Sequence, residues 1–135
     1  MNYKDLMTKA SSGDFSPQFI LNKAFHNANS LKNERGVIIH DIGRLEEERE
    51  FILDEVKEKI RERKNMAIDM EEALAPYYTS DNIELQIRGE EEAQEWGAQL
   101  DMLDEEIQEL RYKIYCIDEE IRTKELRLKV IQENL

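Results

Sequence analysis

The sequence predicts an all-α fold: a long antiparallel helical hairpin, paired as a coiled coil, with a short N-terminal helix and packed into an oligomeric bundle. Three observations carry this. Chain breakers are scarce, with 5 Gly and 2 Pro in 135 residues. Charged residues make up 37% and apolar residues 40%, a composition of long amphipathic helices rather than of sheets or a disordered acidic tail. Apolar residues also recur in alternating steps of four and three along two stretches separated by one turn signal.

Taken in order, residues 1–16 read as a short helix and linker. Tyr3, Leu6, Met7 and Ala10 fall at helical spacing, and Ser11-Ser12-Gly13-Asp14 follows as a loop. Ser16-Pro17 is a helix start, with Ser as N-cap and Pro at the first helical position. A first long helix is expected over 17–75, with a candidate break near 33–36 after an Asn-rich run. Pro76 is expected to stop it, and 76–82 forms the turn. Asp81 with Glu84 makes a capping-box pattern for a second helix over 83–135.

The second helix carries the clearest pattern. Trp96, Leu100, Leu103, Ile107, Leu110, Ile114, Ile117, Ile121, Lys124, Leu128, Ile131 and Leu135 keep the four–three spacing without a slip. The first arm repeats it with more polar members: Ala24, Ala28, Leu31, Arg35, Ile38, Ile42, Leu45, Arg49, Ile52, Val56, Lys59, Arg63, Met66, Met70 and Ala73. Folding the chain between Thr79 and Ser80 pairs residues whose numbers sum to 159. Ile42 then meets Ile117, Ile52 meets Ile107 and Val56 meets Leu103. Arg63 meets Trp96 as a cation–π pair. A slip of one heptad preserves every layer, so spacing alone leaves the register open. Charge favours antiparallel arms. Residues 84–109 hold ten acids and one base, and residues 57–64 hold five bases and two acids. The cost in this register is Arg35 opposite Lys124.

Two short segments read differently. Gly36–Gly43 resembles a strand between glycines, or a kink or close helix contact. Residues 82–89 alternate at period two, a strand signal at the hairpin tip.

More apolar surface is present than one seam needs. Phe25, Ile39, Leu53, Ile60, Ala67 and Leu74 widen the first arm. Met102, Tyr112, Cys116, Leu126 and Val130 form a stripe on the opposite side of the second helix, a candidate partner surface. Tyr3–Ala10 folding back, or a neighbouring subunit, would cover it. Glu90, Glu91, Glu92, Glu95, Asp104, Glu105 and Glu106 form a candidate acidic face.

No catalytic, cofactor or metal site is expected. His26 and His40 lack partners at ligand spacing, phosphate-binding Gly-rich loops are missing, and the acidic groups lie along one helix. Cys116 is a lone cysteine in an apolar setting. A net charge of −12 opposes direct binding to nucleic acid. No apolar run is long enough for a membrane span, and Met1–Ala10 lacks a signal-peptide core, so a cytoplasmic protein is expected, or one in a viral particle assembled there. The expected function is non-enzymatic: a structural or assembly protein working through coiled-coil packing in a homo-oligomer or multi-protein complex, such as a virus or phage particle. The alternatives are an acidic inhibitor or mimic that binds a basic protein surface, and a helical chaperone or adaptor.

Overall fold

The computed structural model describes residues 17–135, with side chains from Lys23 onward, Phe25 excepted. The expected helix around Tyr3–Ala10, the loop after it and the Ser16 cap lie outside the described residues. Two helices, α1 (Pro17–Tyr78) and α2 (Ile83–Glu133), pack against each other as a hairpin. No strand occurs among the described residues, and no helix there is long and apolar enough to cross a membrane.

Helix α1 opens at Pro17, whose fixed φ and missing N–H suit a first helical position. It runs unbroken through 33–36 and through the two glycines, so neither the break nor the first strand forms. Ile38 lies between Gly36 and Gly43 on the seam spacing and is buried, and that burial outweighs the helix cost of roughly 1 kcal/mol per glycine. A β-carbon at either glycine would meet nothing within 4 Å, so neither marks a close approach.

Pro76 does not end α1, which continues to Tyr78. The proline removes one backbone bond, but the last turn is held in other ways. The Thr79 N–H donates to the Ala75 carbonyl at 3.3 Å, and the Thr79 hydroxyl reaches the same oxygen at 3.2 Å. Tyr77 lies against Gly89 of α2, and its hydroxyl donates to Glu92 at 2.9 Å. The turn therefore begins at Thr79.

Asn82, not Asp81, caps α2. Its side-chain oxygen accepts the Glu84 N–H at 2.9 Å, and its own N–H donates to Ser80 Oγ at 3.1 Å. Gln86 closes the turn by donating to the Ser80 carbonyl at 2.9 Å. With these bonds in place, residues 83–89 are helical and the period-two alternation produces no strand.

The chain divides into two compact units. The turn unit is Leu45–Glu120; the other joins residues of α1 up to Arg44 with Ile121–Leu135, and is called the two-segment unit here. In the turn unit, Arg49–Asp118, Lys59–Glu106, Arg63–Asp104, Tyr77–Gly89 and Tyr77–Glu92 face each other, with residue numbers summing to 165–169. This is one heptad from the expected 159. The proposed Arg63–Trp96 pair is replaced by Arg63–Asp104, with Arg63 Nε and Nη2 both donating to the carboxylate. In the two-segment unit, Lys124 faces Asp41 and Arg127 faces Glu34, so the expected Arg35–Lys124 repulsion is avoided. The slip keeps the apolar layers and improves the charges. It also leaves the start of α2 overhanging. At a sum near 166 the positions opposite 83–87 fall in the turn and in the overhang itself, and residues 81–88 are all exposed.

Candidate protein-interaction surfaces

The seam uses up part of the apolar surface. Ile38, Leu45, Ile52, Val56, Leu100, Leu103, Ile107, Ile117 and Ile131 are buried, and Ile42, Trp96, Leu110, Ile114, Ile121 and Leu128 are half-buried. Trp96 lies beside Glu92, Glu95 and Gln99 of its own helix. At the cationic seam positions Arg49, Lys59, Arg63 and Lys124, long side chains bury their stems and carry charge to the edge, where each forms an ion pair. Lys59 Nζ lies 2.8 Å from Glu106, and Arg49 Nε lies 2.7 Å from Asp118. Hydrogen bonding to these carboxylates raises the pKa of Lys59, Arg49 and Arg63, keeping them charged. In the two-segment unit, Arg127 grips Glu34 with two bonds of 2.7 and 2.9 Å, holding the Glu34 carboxyl below its ordinary value.

These pairs draw on the candidate acidic face. Glu92, Asp104 and Glu106 are engaged by Tyr77, Arg63 and Lys59. Glu90, Glu91, Glu95 and Glu105 remain exposed. Among the described residues no group of three or more His, Cys, Asp or Glu side chains is arranged to hold a metal ion.

Three apolar surfaces stay open. The first is a groove of about 570 Å³ in the turn unit, with Ile52 and Ile117 at its floor. Phe51 of α1 forms one wall at 67% exposure, and Tyr112 and Cys116 of α2 form the other. Glu48, Glu55 and Lys113 rim it. Tyr112 stacks on Tyr115 with ring centroids 6.3 Å apart, and hydrogen bonding with Cys116 raises its pKa. Met102, in the same unit, is also exposed. The second surface, in the two-segment unit, carries exposed Leu126 and Val130 one helical turn apart on α2; Val37 and Ile39 of α1 are also exposed in this unit, on different sides of their helix. The third is the overhang, where Ile83 at 70% exposure stands with Ile87, one helical turn apart. On the widened face of the first arm, Leu74 is buried, Leu53 and Ala67 are half-buried and Ile60 is exposed, while the Phe25 side chain lies outside the described residues.

Phe51 and the overhang escape a reading based on seam spacing, because neither lies on the seam. The Tyr77–Gly89 contact had a usable signal. Extending the four–three steps back from Trp96 reaches Ala93 and then Gly89, and extending the first arm past Ala73 reaches Tyr77.

Compared with protein-family models, curated proteins and solved structures, the chain matches none.

Proposed function

We propose that this chain is a non-enzymatic structural or assembly protein that acts through coiled-coil packing in an oligomer or a larger complex. One observation carries the reading: among the described residues, fifteen large apolar side chains are exposed and ten apolar side chains are buried. Among the described residues, Ile131 is the side chain that is fully buried. Isolated apolar residues on a surface are ordinary, but here they are grouped on helix faces, as Phe51 with Tyr112, Leu126 with Val130, and Ile83 with Ile87. Burying such faces contributes roughly 25 cal/mol per Å² of apolar surface, and the cheapest way to bury a helix face is against another helix. The heptad spacing of both arms is the pattern that makes such packing repeatable along a helix. The side chains that converge do so as ion pairs between helices, a structural use of charge. The solution mass of the full chain tests the oligomer: association supports it, and a monomer at all concentrations contradicts it and leaves packing against a different protein.

A further inference from the structure

We propose that the partner seated on the overhang at the start of α2 is a second copy of this chain, docking through its two-segment unit. This rests on the assembly reading and names the surfaces that would meet. Charge is divided sharply between the two units. The described part of the two-segment unit holds eight Lys and Arg against four Asp and Glu, a net +4. The turn unit holds nine against twenty-five, a net −16. Two copies that each carry −12 repel one another in most orientations. The repulsion turns to attraction where the basic unit of one approaches the acidic unit of the other.

The apolar groups match as well. On the overhang, Ile83 and Ile87 lie one turn apart, with Glu84, Glu90 and Glu91 around them, all exposed. On the two-segment unit, Leu126 and Val130 have the same four-residue spacing, and exposed Lys129 lies beside them. Each face is an apolar pair at the same spacing. The overhang is bordered by three carboxylates, whereas Leu126 and Val130 have Lys129 beside them and one carboxylate, Glu133, one turn on. Two overhangs brought together would set carboxylate against carboxylate. Unlike faces combine apolar burial with charge pairing. Among the described residues, Ile83 and Ile87 are exposed, so a partner can approach them without displacing a described side chain.

Sedimentation velocity on the full chain tests this with two variants: Lys32→Glu/Lys129→Glu, which reverses two exposed lysines of the two-segment unit, and Glu90→Lys/Glu91→Lys. All four positions are exposed, and circular dichroism checks that helix content is kept. If either variant loses helix, Lys129→Gln or Glu91→Gln replaces it. The wild type is expected to associate at about 20 mM salt and to weaken at about 500 mM, where the screening length drops to a few ångströms. Each variant alone should associate about tenfold more weakly or worse at low salt. An equimolar mixture should regain association, because one variant keeps the acidic overhang and the other keeps the basic face. Variants that associate as the wild type does, or a mixture that regains nothing, would overturn the docking while leaving assembly intact. A wild type that remains a monomer at both salt concentrations would overturn both.

Discussion

The turn unit and the two-segment unit are made from the same two helices but are held together differently. Among the described residues, eight of the ten buried apolar side chains lie in the turn unit: Leu45, Ile52, Val56, Leu74, Leu100, Leu103, Ile107 and Ile117. The two-segment unit has Ile38 and Ile131, supported by two ion pairs between its segments. In the turn unit a short, hydrogen-bonded connection brings the arms together, so little loop entropy opposes their pairing. The two-segment unit joins stretches far apart in sequence, and its described residues hold less core to offset that cost. Exposed ion pairs add little to stability. The contrast shows where stability is concentrated, in the unit that contains the turn, and where a partner would add most.

Core truncation should separate the two units most strongly. Leu103→Ala should destabilise the turn unit by about 2–4 kcal/mol, read as a lower midpoint of thermal unfolding. Ile131→Ala removes a fully buried side chain from the other unit, and should mainly speed amide exchange in 17–44 and 121–135 while shifting the main transition less. Equal shifts of the main transition would mean that the two units unfold together.

Glycines give a smaller and signed test. A β-carbon at Gly89 would lie 2.6 Å from Tyr77 Cβ, an atom fixed to the backbone, so Gly89→Ala should cost about 1–2 kcal/mol despite its better helix propensity. Gly43→Ala in the two-segment unit and Gly97→Ala in the turn unit meet nothing within 4 Å, and should each stabilise by about 0.5–1 kcal/mol. Chemical denaturation of the three variants reads the signs directly.

The smallest expected effect is pH dependence in the two-segment unit. Arg127 holds the Glu34 pKa below its ordinary 4.5, chiefly by hydrogen bonding to the carboxylate. The native state therefore binds its proton at lower pH than the unfolded chain does. The contribution is present above pH 4.5 and is lost as the pH falls through the lowered value. Glu34→Gln should flatten the acid dependence of amide exchange in this unit and leave the neutral-pH fold in place.

Much of this architecture was readable from the sequence, and the failures have physical reasons. The helical hairpin follows from apolar spacing and the scarcity of breakers. The register does not, because a seven-residue slip returns every layer to an equivalent layer. Contacts such as Lys124–Asp41 and Tyr77–Gly89, rather than periodicity, distinguish the two settings. Pro76 is a poor stop because Tyr77 is anchored across the turn and Thr79 bonds back to Ala75. Asp81 and Asn82 are both good caps, and only the backbone path decides that Asn82 points its oxygen at Glu84. The period-two pattern of 82–89 has no second strand to pair with, so the capped helix prevails. For the interaction surfaces, spacing picked out Met102, Tyr112, Cys116, Leu126 and Val130, all of which are exposed. It missed Phe51 and the Ile83–Ile87 overhang, which depend on the register and on which α1 residues border α2.

The most direct test of self-assembly is the solution mass of the full chain, measured by light scattering at two protein concentrations in low and high salt. Self-assembly gives a mass above the 16.0 kDa of one chain at low salt, rising with concentration. A mass of 16.0 kDa under every condition would contradict it.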